Sequence, residues 1–81
     1  MMNTQEDESV ILRRVLLLAL QNREDNSIDS TLSELDEVGA MSLKESKQLL
    51  KELKSENLIS NGQLTPLGIA EVEEAKKFFK I

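Results

Sequence analysis

Residues 31–59, TLSELDEVGAMSLKESKQLLKELKSENLI, constrain the fold more than any other stretch of the chain. Thr31 with Glu34 three positions later has the form of a capping box, which satisfies two of the backbone N–H groups that open a helix. Leu32, Leu35 and Val38 then recur at helical spacing. Gly39 stops that helix, since a residue of positive φ is the common terminator. Ser42 with Glu45 forms a second box and starts a longer helix over about residues 42–56. Its inward face reads Leu43, Ser46, Leu49, Leu50 and Leu53.

A hairpin follows. Leu58-Ile59-Ser60 and Gln63-Leu64-Thr65 flank Asn61-Gly62, a dipeptide that favours the type I′ turn matching strand twist. Thr65 at N-cap and Pro66 at the first helical position then open a last helix, with Ile69, Val72, Ala75 and Phe79 as its stripe. The spacing predicts a mainly α chain with a small β-hairpin.

Upstream, the first helix should begin near residues 4–9, where Thr4 with Asp7 resembles a weak cap, and run to about Asn22. Most of its apolar residues span one broad face. Val10 and Leu17 do not; they fall among Arg13, Arg14 and Gln21. A helix apolar nearly all round is buried on more than one side. The extra side can be covered by a second copy, giving a homodimer through Val10 and Leu17 with Phe78 and Phe79 joining. It can also be covered within the monomer by the residues at 78–81 or by the N-terminal tail. Residues 1–7 are expected to be flexible. Residues 23–29 read as a polar connector, with Ser27-Ile28-Asp29 as a one-bridge strand.

Length and composition exclude several functions. At 81 residues the chain is expected to be one domain. Without cysteine or histidine it has no disulfide, no thiolate or imidazole ligand for zinc, and no His-dependent acid–base or nucleophilic chemistry. The acids at Glu6, Asp7, Glu8, Glu24 and Asp25 lack the spacing and loop glycine of a calcium loop. No phosphate loop or paired-carboxylate pattern is present, so no enzyme, metal or cofactor is expected. With Phe78 and Phe79 as the only aromatics, stacking on single-stranded nucleic acid is not expected either. The apolar run 15–20 is six residues long, far short of a membrane span, and the N-terminus is acidic where a secretory signal is basic. The expected location is the cytoplasm of a microbe.

The net charge is −5, but it is uneven: residues 1–40 carry −6 and residues 41–81 carry +1. On the helix at 42–56, Lys44, Lys47, Lys51 and Lys54 share a sector about 80° wide, with Gln48 and Ser55 beside them. Glu45, Glu52 and Glu56 occupy the other flank. No Lys and Glu of this helix stand three or four residues apart, so the usual supporting pairs cannot form. The lysines instead neighbour one another, and an anionic partner would relieve their repulsion. Lysines in such a stripe suit phosphates; Gln48, and Ser42 at the helix start, suit base edges. Asn61, at an uncharged hairpin tip, adds an amide. Lys76, Lys77 and Lys80 follow Glu71, Glu73 and Glu74, the order the helix dipole prefers, and read as structural.

These residues resemble the winged helix-turn-helix superfamily of bacterial transcription regulators over roughly residues 9–80. TLSELDEVGAMS matches the second helix and turn, SKQLLKELKSENLI the recognition helix and first wing strand, and LTPLG the second wing strand and start of the last helix. The Leu-Thr-x-x-Gly from Leu64 to Gly68 is similar to MarR and PadR type regulators. The resemblance implies a three-helix core, a short wing and a C-terminal helix that packs or dimerises. It implies a homodimer reading double-stranded DNA in transcription control, with Ser42, Lys44, Lys47, Gln48, Lys51, Lys54 and Asn61 as the contacting residues. The same fold also serves as a protein-docking module, the alternative that the acidic balance and the uncharged tip leave open.

Overall fold

The computed structural model describes residues 4–23 and 27–80, with side chains from Val10 onward. Four helices and a hairpin follow in order: α1 (Thr4–Asn22), α2 (Ile28–Glu37), α3 (Leu43–Ser55), β1 (Ile59–Ser60), β2 (Gln63–Leu64) and α4 (Pro66–Phe79). The chain is mainly helical with one small antiparallel sheet. Among the described residues, no helix is long and apolar enough to cross a membrane. Of the residues expected to be flexible, 4–7 are helical backbone, whereas 1–3 lie outside the described residues, as do Glu24, Asp25 and the side chains of Thr4 and Asp7.

The start of α2 corrects two expectations. Ser27-Ile28-Asp29 is not a strand, and Thr31 is not a cap: the helix begins a turn earlier. Ser27 is the N-cap, its Oγ accepting the Ser30 N–H at 3.1 Å. Thr31 is buried inside the helix, where its hydroxyl donates back to the Ser27 carbonyl at 3.1 Å. Serine and threonine both satisfy backbone groups locally, so two overlapping cap patterns competed and the upstream one won.

The end of α2 and the start of α3 follow the sequence reading. Gly39 has φ 77. The Ala40 N–H donates to Leu35 O at 2.9 Å and the Gly39 N–H to Asp36 O at 3.1 Å, the paired bonds of a Schellman cap. Ser42 and Glu45 form the expected capping box: the Glu45 N–H donates to Ser42 Oγ and the Ser42 N–H to Glu45 Oε1. At the other end of α3, Asn57 takes the same role as Gly39, with φ 63. The Leu58 N–H reaches Leu53 O at 3.0 Å, and both of these leucines are buried.

The hairpin pairs Ile59 with Leu64 and Ser60 with Gln63. Asn61 and Gly62, at φ 53 and 76, make the two-residue turn. Thr65 then caps α4: its Oγ1 accepts the Gly68 N–H at 3.0 Å and donates to Asn57 O at 2.6 Å. Gly68 sits where the first turn of α4 passes the backbone of Leu58, just before β1. A Cβ there would lie 2.2 Å from the Leu58 carbonyl oxygen, so no side chain fits.

The core gathers Leu16, Leu17 and Leu20 of α1, Leu32 and Leu35 of α2, Met41, Leu49, Leu50 and Leu53 around α3, then Leu58, Ile59 and Val72. Four residues depart from their expected places. Val38 (expected in the α2 stripe but at its C-cap), Leu43 (in the first turn of α3) and Ile69 are surface-exposed. The inward row of α4 runs Gly68, Val72, Ala75, which turns Ile69 about 100° away from it. Leu17 is the fourth. It was expected to need a surface outside the core, yet it is 1% exposed within the monomer. The reason is α4, which packs along α1 and covers the flank that the helical wheel alone leaves bare. Leu17 is therefore a core residue and not available to a dimer interface.

Candidate nucleic-acid interface

The capping box, the leucine face and the Asn57 cap fix α3 with its opposite side to solvent. Lys44, Lys47, Gln48, Lys51, Lys54 and Ser55 are all exposed there. Among the described residues, none of these four lysines has an ion-pair partner. Their nearest charged neighbours on the helix are one another. Ser42 is exposed too; its oxygen accepts the Glu45 N–H, which leaves its hydroxyl proton and one lone pair to offer. Asn61 is exposed at the hairpin turn.

The acids of α3 are treated differently. Glu45 is held in the capping box. Glu56, at the C-cap, takes a two-pronged bond from Arg13 of α1: Nη1 to Oε2 at 2.7 Å and Nη2 to Oε1 at 2.6 Å. Those hydrogen bonds hold the Glu56 carboxyl below the usual carboxylate range, with the Arg13 charge adding and partial burial opposing. The same bonds raise the Arg13 guanidinium, against a desolvation that lowers it. Two of the three α3 glutamates are thus engaged by the chain itself. The lysines are not.

Two of the three lysines of the C-terminal patch are paired: Lys76 with Glu73 at 3.4 Å and Lys77 with Glu74 at 3.2 Å, in keeping with the structural reading for those two. Lys80, the C-cap of α4, has no ion-pair partner among the described residues. The exposed face of α2 is acidic and carries no base: Asp29, Glu34, Asp36 and Glu37 all reach solvent.

Of the residues expected at a dimer contact, Val10 and Phe78 lie on the surface, at 43% and 48% exposure, and Phe79 is half-buried. Val10, Ile11, Arg14 and Phe78 line one shallow depression. The Arg14 guanidinium lies 4.0 Å from the Phe78 ring centre, a cation–π contact. Phe78 and Phe79 meet edge to face at 5.0 Å.

Sequence reading missed the two arginine links from α1. Arg13 was assigned only to a polar side, although an acid such as Glu56 with no i±4 base invites a partner from another helix. The second link is Arg23. Its Nε donates to Leu20 O at 3.1 Å, in the last turn of α1, and its Nη2 donates to the Gly62 carbonyl in the hairpin turn. A bond from a side chain to a distant backbone carbonyl leaves no mark in sequence.

Comparison with protein-family models, with curated proteins and with solved structures finds no match for the chain.

Proposed function

We propose that this chain is a winged helix-turn-helix protein that binds double-stranded DNA in transcription control, with α3 as the recognition helix and the hairpin as the wing. One observation carries the reading: four exposed lysines on one edge of α3 have no acid partner among the described residues, while two of that helix's three acids are bound by the chain itself. An unpaired lysine row is what a phosphate backbone neutralises, with release of condensed counterions. Gln48 lies among the lysines and is the candidate for reading a base edge. The proposed assembly is a homodimer through the surface of Val10, Ile11 and Phe78; successive major grooves about 34 Å apart are the spacing its two α3 helices would have to match.

The test is titration of labelled duplex by fluorescence anisotropy at several salt concentrations. Affinity should fall steeply with salt. Lys47→Ala and Lys51→Ala should each weaken binding to every sequence and flatten the salt slope by about one unit. Gln48→Ala should relax sequence preference and leave the slope alone. Folded protein that binds no duplex at low salt would end the DNA reading.

A second reading has its own support. The base-free acidic face of α2 and the net charge of −5 oppose a polyanion within a Debye length of about 10 Å at 0.1 M salt. A protein-docking module that uses the Val10, Ile11 and Phe78 surface is then the function, and loss of partner capture on Phe78→Glu is its check.

A further inference from the structure

Ile59 and Leu64 hold the hairpin's base to the core, but its own pairing is slight. Each strand is two residues long, and an isolated pair of that length is not stable in water. Its base is secured where α3 ends: the Thr65 N–H donates to Leu58 O at 3.0 Å and Thr65 Oγ1 to Asn57 O. Its tip is secured elsewhere. The Arg23 guanidinium, fixed at the end of α1 by its bond to Leu20 O, donates to the Gly62 carbonyl between Asn61 and Gln63. Ten residues earlier, within α1, Arg13 grips Glu56 at the C-cap of α3. α1 and the residue that follows it therefore anchor both the end of α3 and the turn of the hairpin.

From this geometry we propose that Arg23 is the positioning residue of the interface: it fixes the direction of the Asn61 tip relative to α3, so that Asn61 and the α3 lysine edge engage one ligand together. The inference rests on the duplex-binding reading for the ligand, and on the bonds above for the device. Arginine suits the task because its planar fork offers several donors in fixed geometry. Lysine, a single ammonium on a flexible stem, cannot hold two carbonyls the same way. Arg23→Lys thus keeps the charge and removes the geometry.

Two measurements decide the matter on Arg23→Lys and Arg23→Ala. Backbone ¹⁵N relaxation should show residues 60–63 becoming mobile, with order parameters falling below about 0.6, while α3 stays rigid near 0.85. Amides at 60–63 as rigid as wild type in both variants would overturn the proposal whether or not DNA binds. Where duplex binds, Arg23→Lys should weaken it about tenfold, the scale of one charge-assisted hydrogen bond, with an unchanged salt slope. In that background Asn61→Ala should add no further loss. Additive losses from the two positions would overturn positioning, since a residue supporting only general stability does not couple selectively to Asn61. Lys47→Ala, away from this device, should remain additive with Arg23→Lys. A wild type that binds no duplex defeats the ligand, and relaxation then decides the device by itself.

Discussion

Replacing Gly68 by alanine should destabilise the protein, against the ordinary preference of helices. In the interior of a helix the change is worth about 1 kcal/mol in favour of alanine. Here the new Cβ would sit 2.2 Å from the Leu58 carbonyl oxygen and 3.1 Å from a Leu64 methyl carbon. A backbone carbonyl that already accepts the Thr65 N–H cannot swing aside as a flexible side chain does. The first turn of α4 must retreat by about 1 Å, which stretches the Thr65-to-Leu58 hydrogen bond, 3.0 Å as it stands, beyond useful range. Losing that bond costs about 1 kcal/mol. Opening the packing between Leu58 and Val72, both almost fully buried, costs about 1–3 kcal/mol more. After the helix gain the net loss is centred near 2 kcal/mol, a fall in Tm of about 8–16 °C for a domain of this size. Thermal and urea unfolding followed by circular dichroism at 222 nm would measure it. Exposed Ala70 supplies the internal standard: Ala70→Gly should cost about 1 kcal/mol by propensity alone. A Gly68→Ala protein as stable as wild type, or more so, would show that the approach of α4 to Leu58 is not as close as described.

Leu17→Ala should lose about 2–5 kcal/mol in urea titration, as a buried leucine does, and Leu17→Glu should unfold the chain rather than change its assembly. Phe78→Glu, by contrast, should cost no more than about 1–2 kcal/mol through its lost Arg14 and Phe79 contacts and shift sedimentation toward monomer; a wild type already monomeric at high concentration would remove the dimer. Glu56 links folding to acid. Its folded pKa is lowered, chiefly by the Arg13 hydrogen bonds, so its stabilisation is complete above the ordinary glutamate pKa and drains away as pH falls through the lower folded value. Because the pair is half-exposed, the effect should be about 0.5–1 kcal/mol after solvent screening, seen as a flatter acid limb of stability against pH in Glu56→Gln. Thr65→Val should cost about 1–2 kcal/mol by removing the hydroxyl that bridges Gly68 and Asn57.

What was legible in the sequence was what one element determines for itself. Ser42 with Glu45, Gly39, Asn61-Gly62 and Thr65-Pro66 each place a boundary through bonds to backbone only a few residues away, and those boundaries stand. The start of α2 failed because Thr31 with Glu34 has the form of a cap and Ser27-Ile28-Asp29 that of a strand, whereas Ser27 caps the helix a turn earlier. Leu17, Val38, Leu43 and Ile69 failed for a different reason. A helical wheel gives an angle and not a neighbour; the place of α4 against α1, and its approach to Leu58 at Gly68, decide which angles are inside. At the candidate interface, the exposed lysine edge of α3 was readable from spacing, because it lies opposite a leucine face. The arginine links were not. Arg13 and Arg23 find partners 43 and 39 residues away, through geometry set by packing as a whole.

The lengthwise packing of α4 on α1 also bears on how the chain is made. Everything from α2 through the hairpin can form contacts between near neighbours in sequence, and such contacts form quickly. The flank of α1 that holds Leu17 has no cover until α4 has left the ribosome and swung back across the molecule. During that interval the nascent chain displays a leucine-rich surface of the kind that draws incomplete chains together. A net charge of −5, half-folded or folded, repels copies from one another. The acidity that resists a polyanion would in this way guard the chain through its own synthesis.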